Sequence, residues 1–449
     1  MNGRTTTLIP NASFVTKAKL KLYRRLTFLY SLTAGIRISL GGQLGANEIL
    51  SLLSMSSPSR WKEAYRDVPS AKILSKGYGV LFLAQFVSDI VNHSDSHDFI
   101  RGWANIVVAT VVTTFLIRML WKSPDFIVAY LLGDILRAAF FGMDTEGLSL
   151  ADMAFFKFRL VPIINDVLLL TSYFYLAKRY VNPKALYTLF IFFGLFCIAF
   201  DARSEGIFWV LTSILLMRKK ALNNISFKKL LPYILLFLVV FQCLYMFYVS
   251  QVLSGSFGGK HARDQLIRVE NPYNPINLLV TGRAETFVAM TAIADQPVFG
   301  HGSWAPDKTG KYTALIYKLQ GQEERAESVI KNTDYQLIIP SHSILMGAWM
   351  TAGVLGFLAF GFIFIRVFRC AFGLLKNSYA MNSRYSVIII FYFFSFIWTC
   401  AFSPLPHIKE DLPFIIAVFF VLEQKVRNLA KANEPSKTRV SAPQTALVL

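Results

Sequence analysis

One histidine and three arginines are the side chains of this sequence best suited to acid–base chemistry and to anion binding. His342 lies in a Ser-His-Ser tripeptide where a polar stretch meets an apolar one. Arg203 and Arg37 lie near the ends of apolar runs, and Arg283 lies in a polar loop. A histidine with a pKa of about 6.5 can accept a proton near pH 7. A guanidinium is always charged and binds phosphate in a fork, so this set can remove a proton and stabilise an anion.

Each of these residues also has a purely structural interpretation. Arg203 can extend to lipid headgroups at a membrane interface, and Arg37 can pair with a buried carboxylate such as Asp89 or Asp134. A lone histidine more often caps a helix than catalyses a reaction, and this applies to His342. The sequence leaves these alternatives open.

The composition is that of an integral membrane protein. The chain has 449 residues, 54% of them hydrophobic, and a mean hydropathy of +0.46, which is more apolar than a soluble core of this size requires. Its net charge of +19 would suit nucleic acid in a soluble protein, but the basic residues cluster in short loops between apolar runs. Membrane topology accounts for that charge, and nucleic acid is not expected as a partner. The four cysteines show neither CxxC spacing nor a disulfide framework.

Twelve apolar runs reach or approach the roughly 20 residues that cross a bilayer as a helix. They predict an all-α integral membrane protein with about 12 transmembrane helices, and the basic N-terminus is expected to flank a retained first span. The first two runs, joined by residues 41–45, either cross fully or form a re-entrant hairpin. The predicted runs are 26–40, 46–57, 73–92, 102–121, 124–141, 158–177, 185–200, 206–217, 230–250, 342–365, 385–403 and 411–424.

The junctions between the runs alternate in charge. Every second junction is rich in lysine and arginine, beginning with Arg60, Lys62, Arg66, Lys72 and Lys76. The positive-inside rule places these junctions, and both chain termini, in the cytoplasm. The histidine and the three arginines then all fall on the opposite face, although none of them contributes to that charge pattern.

One external loop is much longer than the other junctions. It contains nine Lys or Arg and nine Asp or Glu, and a loop of this length without function or structure would be unusual. Within it, Phe287, Met290 and Ile293 recur at helical spacing and predict a short helix on the bilayer surface. The predicted parts are an N-terminal bundle of about nine spans over 1–250, a periplasmic loop over 251–341, C-terminal spans over 342–424 and a cytoplasmic tail over 425–449.

A spacing pattern links the long loop to the next span. His342 and Ser343 are followed by nine residues and then by Gly-Val-Leu-Gly over 353–356. Arg283 and the segment 297–302, Pro-Val-Phe-Gly-His-Gly, precede them. This arrangement resembles the bacterial O-antigen ligase and O-antigen polymerase family, whose mark is a histidine, a small polar residue, nine residues and a Gly-x-x-Gly. The motifs cover about 281–357, and the twelve-span layout extends the resemblance loosely over the chain.

The motif glycines and the second histidine have structural interpretations too. Gly353 and Gly356 can be close-packing positions between helices. Gly300 and Gly302 can form a flexible turn around His301, which is a second candidate for the base. The structural role is the expected one for His301.

The resemblance implies a GT-C-like membrane glycosyltransferase of the bacterial inner membrane, with its active face in the periplasm and an undecaprenyl-diphosphate-linked glycan as donor. It implies no metal and no cofactor, and the first external turn, 41–45, contains no Asp or Glu. His342 is the expected base, Arg283 is expected to act in catalysis and to bind the diphosphate, and Arg203 and Arg37 are further diphosphate ligands. The motif residues expected to support them are Gly300, Gly302, Ser343, Gly353 and Gly356.

Several functions remain open within and beyond this family. Polymerisation of lipid-linked repeats, in O-antigen or exopolysaccharide synthesis, is expected first, partly because Phe357 stands where ligases of the family often have Thr or Val. Ligation to lipid A–core and protein glycosylation are alternatives, and a chain-length regulator or another assembly protein is a possible partner. A polysaccharide transporter or flippase is the alternative of another class. It is favoured by the charged residues inside predicted spans, Asp89, Asp134, Arg137 and Asp166.

Overall fold

The computed structural model of this chain is mostly helical. Most of the predicted tail (434–449), most of the predicted run 230–250, the turn at 40–42 and parts of the long loop lie outside the described residues, whereas residues 425–433 continue the last helix. The structure describes residues 16–39, 43–141, 155–178, 183–200, 202–218, 239, 242–243, 245–256, 263–264, 266–267, 271–274, 283–331 and 337–433.

The N-terminal half is a bundle of helices with one short hairpin. Its strands are β1 (Arg37–Ser39) and β2 (Gln43–Gly45), which pair antiparallel. A short π-helical segment, Phe156–Leu160, leads into α7. The helices are α1 (Lys17–Leu32), α2 (Ala46–Met55), α3 (Pro58–Asp67), α4 (Pro69–Val91), α5 (Ser96–Lys122), α6 (Phe126–Phe141), α7 (Val161–Leu176), α8 (Pro183–Ala199) and α9 (Arg203–Met217).

The second half contains the helices of the long loop and the last helices of the bundle. Residues 245–253 are helical. The predicted helix around Phe287, Met290 and Ile293 is confirmed as α10. The helices are α10 (Ala284–Asp295), α11 (Lys311–Leu319), α12 (Glu323–Lys331), α13 (Ile344–Lys376), α14 (Ser378–Met381), α15 (Ser386–Phe402) and α16 (Leu412–Asn433).

Four helices in the described part of the chain are long and apolar enough to cross a membrane. They are Pro69–Val91, Ser96–Lys122, Phe156–Leu176 and Ile344–Lys376, and each contains or closely overlaps a predicted run. Two shorter apolar helices, Pro183–Ala199 and Ser386–Phe402, also match predicted runs. The prediction of an all-α protein with membrane-spanning helices is confirmed to this extent.

The first predicted run, 26–40, is wrong in its second half. The helix α1 ends at Leu32, a 3-10 turn covers Thr33–Gly35, and Arg37 lies in strand β1. A charged side chain and a glycine favour leaving the apolar helix at this point, because an arginine in hydrocarbon is costly. The following helix α2 has 10 residues, about 15 Å, which is half of the hydrocarbon thickness. These two runs are therefore too short for two full crossings.

The helices have two chemically different ends. At one end the basic junctions meet: Arg118 donates to Glu63 at 2.7 Å, and Arg366 donates to Ser70 at 2.7 Å. Helix α4 leads from Ser70 at this end to its last turn at the other, and α13 returns from residue 344 to Lys376. The start of α13, beside His342, therefore lies at the end opposite to the basic junctions.

Candidate functional site

The helix that follows His342 is broken at one glycine. Gly353 interrupts α13 with φ 66° and ψ −166°, a backbone conformation that residues other than glycine rarely adopt. The break frees the carbonyls of Met350 and Thr351 from the helix. They accept hydrogen bonds from the backbone N–H groups of His301 at 2.7 Å and Gly302 at 3.1 Å.

The loop segment 297–302 also binds the helix residue that follows the break. The backbone N–H of Val354 donates to the carbonyl of Pro297 at 3.1 Å and to that of Val298 at 3.2 Å. A Cβ added at Gly353 would collide with the Val298 carbonyl, and one added at Gly300 would lie 2.6 Å from the Gly353 nitrogen. The two glycine motifs of the sequence therefore bind each other through their backbones, and we call this contact the glycine interlock.

The remaining motif glycines also allow close approach. A Cβ added at Gly356 would lie 2.5 Å from the Ala348 carbonyl oxygen, which belongs to the segment of α13 before the break. Gly302 has φ +85° and faces Ser94. Gly353 and Gly356 are thus close-packing positions, but Gly353 packs against the loop segment and Gly356 against its own helix, not against a second helix as the interpretation from the sequence had it.

Asp89, near the end of α4, anchors the same loop segment. Its carboxylate accepts from the Ser303 backbone N–H at 2.6 Å, from the Ser303 hydroxyl at 2.8 Å and from the Trp103 indole N–H at 2.8 Å. Asn92 donates to the Gly300 carbonyl at 2.9 Å. A buried carboxylate satisfied in this way is a structural anchor, and it does not pair with Arg37 as one interpretation allowed.

His342 lies immediately before α13 but does not cap it. The helix cap is Ser343, whose hydroxyl accepts from the Met346 backbone N–H at 3.2 Å and lies 3.3 Å from the Cys400 carbonyl, to which it donates. Ser343 thereby fixes the N-terminus of α13 against α15. The capping interpretation of His342 is wrong, and its imidazole is exposed at the mouth of a cavity.

The surroundings of His342 favour its neutral form. Incomplete hydration lowers the pKa of the imidazole below its ordinary value, because the charged ring loses part of its water. The Glu285 carboxylate acts in the opposite direction, while the positive charges of Arg283 and His407 lower the pKa further. The ring is therefore largely unprotonated at neutral pH, as a general base must be.

Arg283 stands at the N-cap position of α10 and lies close to two aromatic rings of α15. Its guanidinium carbon is 5.1 Å from the centre of the Trp398 ring and 5.2 Å from that of Phe402. Burial lowers the pKa of Arg283, Glu285 raises it and the nearby Arg203 lowers it again. The aromatic faces hold the guanidinium by cation–π attraction without neutralising its charge.

Arg203 is the first residue of α9 and approaches the same region. Its guanidinium carbon lies 5.8 Å from the centre of the Tyr248 ring, in the helical segment 245–253. The charge of Arg203 lowers the pKa of Arg283, which places Arg203 within electrostatic range of Arg283. Arg203 is thus near Arg283, and Arg283 in turn acts on His342.

Arg37 joins this region through a carboxylate near the end of the chain. Its Nη1 lies 3.2 Å from Oε1 of Glu410, and the other carboxylate oxygen lies 2.9 Å from Nδ1 of His407. Asp134, an alternative partner for Arg37, instead binds Arg137 at 2.8 Å. Burial opposes the charge of Glu410, but His407, Arg37 and the neighbouring lysine lower its pKa to about 2.

His407 is the most informative residue that the sequence patterns missed. Burial acts to lower its pKa, but the bond to Glu410 and the negative charge nearby raise it above the ordinary value. The segment that carries it connects α15 to α16, and Lys409 fixes that segment by a buried ion pair with Glu48 of α2, at 2.9 Å. The sequence signal that could have pointed to His407 is a cluster of four charged or titratable residues between two apolar runs, at 407 and 409–411.

His301 has a structural position. Its Nε2 lies 2.8 Å from the Ala292 carbonyl oxygen in the last turn of α10, and its ring packs edge-on against Tyr312. Its backbone N–H takes part in the glycine interlock. Through these contacts His301 holds the loop against α10 and α13, which is a structural role.

The comparisons with known proteins do not add a relative. No protein-family model matches the chain, and no curated protein matches it. In the described part of the chain, His, Cys, Asp and Glu form no group of three that could hold a metal ion.

Proposed function

We propose that this chain is a membrane glycosyltransferase that polymerises undecaprenyl-diphosphate-linked glycan repeats at the periplasmic face of a bacterial inner membrane. The observation that carries the proposal is the position of His342. A histidine disposed to be neutral lies within electrostatic range of Arg283 and His407, at the end of the bundle away from the basic junctions. A base beside several cations suits transfer of a sugar from a diphosphate.

The reaction follows from these charges. His342 takes the proton of an acceptor hydroxyl while that oxygen attacks the anomeric carbon of the donor sugar. The bond from this carbon to the diphosphate oxygen breaks, its electron pair leaves with the diphosphate, and attack from the opposite face inverts the configuration. The step is balanced: the proton of the acceptor hydroxyl ends on the imidazole, and the electron pair of the broken bond ends on the leaving diphosphate.

The cations supply the positive charge that stabilises the leaving diphosphate, which a metal ion supplies in other glycosyltransferases. Arg283 lies against Trp398 and Phe402, which exclude water from one side of the guanidinium and strengthen its attraction for an anion. Arg203 adds a second charge, while Arg37 and His407 share the Glu410 carboxylate. The proposed reaction is therefore metal-independent.

The proposed topology is a GT-C-like arrangement in which the first two predicted runs form one re-entrant hairpin and about ten further runs cross the membrane, with the basic end and both termini in the cytoplasm. The site and the long loop then face the periplasm, where the lipid-linked donor is displayed. Within this class, ligation to lipid A–core uses the same donor and mechanism, and the residues around His342 suit both reactions. A chain-length regulator is a fitting partner for the polymerase.

Removing the gene from the bacterium that carries it separates these reactions. For the polymerase we expect a core that bears a single repeat, and for the ligase the loss of every capped core species, on a gel of lipopolysaccharide. Complementation with the intact gene restores long chains. Normal chain lengths in the deletion strain, for both lipopolysaccharide and exopolysaccharide, contradict the proposed function.

A lipid-linked glycan flippase is the second candidate, and one observation favours it. Asp166 of α7 is buried with a carboxylate oxygen that has no hydrogen-bond partner among the described residues, and it lies near the Asp134–Arg137 pair. Such groups inside a bundle are typical of transport pathways. Lipid-linked repeats that remain on the cytoplasmic leaflet in the deletion strain would identify the flippase.

The acid limb of the activity profile should report His342. Because its pKa is lowered in the folded protein, the neutral base persists below the ordinary pKa of about 6.5 and is lost only as the pH falls further. We expect half-maximal transfer below pH 6.5 on the acid side. Replacing Glu285 by glutamine removes a charge that raises this pKa, so the limb should move to still lower pH.

The pH experiment has a matched control on the same loop. Glu327 is exposed on α12 and pairs with Lys331, away from His342, so Glu327→Gln should leave the profile unchanged. Rates from pH 4.5 to 8, with purified protein and lipid-linked repeats, provide the measurement. An acid limb of Glu285→Gln that stays in place or moves upward contradicts the assignment of His342 as the base.

A further inference from the structure

A cavity of about 210 Å³ opens beside His342. It lies between α4, α5 and the first turns of α13, and it is closed by the loop residues 303–305 and 338–341 and by the α15–α16 connection. His342 lines it, whereas Arg283, Arg203 and Arg37 do not. The cavity is therefore a separate space that shares the proposed base with the cationic region.

The wall of the cavity combines apolar faces with a few uncharged polar groups. Trp304 lines it with φ +51°, a rare conformation for an aromatic residue, and the Arg101 guanidinium carbon lies 4.1 Å from the centre of its ring. No lysine or arginine belongs to the lining, which is unsuited to a diphosphate. The polar members of the lining besides His342 are Gln85, Asn105, Ser303, Ser341 and Thr351.

Asn105 indicates what kind of ligand the wall accepts. Its side chain lines the cavity from α5 and makes no hydrogen bond to any residue that the structure describes. A hydrocarbon chain in the cavity would bury this amide without a hydrogen-bond partner, which is unfavourable. A ligand with hydroxyl groups would donate to the amide carbonyl of Asn105 and accept from its N–H. Ligand pockets are typically apolar with a few polar groups that orient the ligand in this way.

The volume fits one ring of such a ligand. A cavity of about 150 Å³ accepts benzene, so 210 Å³ accepts a single six-membered ring with its hydroxyl groups. A sugar ring presents C–H faces, which suit Trp304 and the isoleucines of the wall, and hydroxyl edges, which suit the amides. Size and polarity thus agree on one pyranose ring.

We propose that this cavity binds the acceptor sugar whose hydroxyl attacks the donor. Arg283 acts on His342 from the start of α10, with Arg203 of α9 near Arg283, whereas the cavity reaches His342 from α4 and α5. The donor diphosphate then lies on the cationic side and the acceptor ring on the cavity side, with the base between them. This assignment rests on the proposed glycosyltransferase function.

Replacing Asn105 by leucine tests the assignment, because it keeps the size of the side chain and removes its hydrogen bonds. The measurement is saturation-transfer difference NMR of the purified protein with methyl glycosides of glucose, galactose, mannose, rhamnose and N-acetylglucosamine. We expect at least one glycoside to give a signal with the unaltered protein and a signal at least about fivefold weaker with Asn105→Leu, from the loss of about 1 kcal/mol. Val107→Leu, on the exposed face of the same helix, is the control and should keep the signal.

The outcomes separate this inference from the proposed function. Equal signals for Asn105→Leu and the unaltered protein, or no signal from any glycoside, overturn the assignment of the cavity. A signal from geraniol that Asn105→Leu retains or strengthens overturns it in favour of a lipid site. Ile338→Trp, which fills the mouth of the cavity, should abolish the glycoside signal even if Asn105→Leu unfolds. A failure of the deletion strain to show altered glycan would overturn the proposed function and leave the binding result standing.

Discussion

Replacing His342 by alanine is expected to reduce glycan transfer by about 10²- to 10⁴-fold, the contribution of a general base. The acceptor hydroxyl would then have to lose its proton to water, while Arg283 and the other cations still hold the diphosphate. The loss should appear in kcat, because binding of the donor does not depend on the imidazole. Transfer of radiolabelled repeats by purified protein in proteoliposomes provides the measurement.

His97 supplies the matched control for this substitution. It lies in the first turn of α5 with its side chain mostly exposed, so His97→Ala should leave transfer and stability unchanged. His342→Gln keeps the hydrogen-bonding capacity and still cannot take the proton, so it should behave like His342→Ala. Wild-type chain lengths from both variants at position 342 would show that this residue is not the base.

The positions of the helices could largely be predicted from the sequence. The run 385–403 is found as Ser386–Phe402, and 102–121 lies within Ser96–Lys122. Long apolar runs leave little choice, because backbone groups in hydrocarbon must be satisfied within the helix. Helix ends were harder to predict, and α13 continues to Lys376 because basic residues can extend out of the membrane without ending a helix.

The composition of the site could be predicted only in part. His342 and Arg283 carry motif spacing, but the partner of Arg37 is Glu410, which lies 373 positions further along the chain. Such a pair depends on the order of helices in space, which periodicity and charge do not encode. The same limit hid His407, because the charged cluster at 407 and 409–411 marks an unusual connection but does not show which of its residues faces the site.

The function of the motif glycines could be seen only with the backbone in place. A Gly-x-x-Gly within an apolar run is typical of helix packing, and the sequence gives no sign that it binds the loop segment 297–302. In the structure, Gly353 exposes two carbonyls that the N–H groups of His301 and Gly302 then satisfy. Buried backbone groups must be paired, so each motif requires the other.

Replacing Gly353 by alanine should therefore disrupt the region that carries His342. The new methyl group would collide with the Val298 carbonyl, and φ 66° with ψ −166° is accessible almost only to glycine. Strain of about 1–3 kcal/mol adds to the loss of the interlock hydrogen bonds, each worth about 1 kcal/mol. We expect a destabilisation of about 3 kcal/mol or more, a lower melting temperature of the purified protein and loss of transfer.

Two further glycines make this prediction specific to the interlock. Gly300→Ala should reproduce the effect, because Gly300 has φ +74° and its Cβ would lie 2.6 Å from the Gly353 nitrogen. Gly361→Ala, eight positions further along the same helix, meets nothing within 4 Å and should be neutral or slightly stabilising, since alanine favours helix by about 1 kcal/mol. The contrary outcome is that the Gly353 and Gly361 variants melt at the same temperature and transfer glycan equally well. The break in α13 would then tolerate a Cβ and could not depend on the close contact with Val298. In that case the interlock does not position His342.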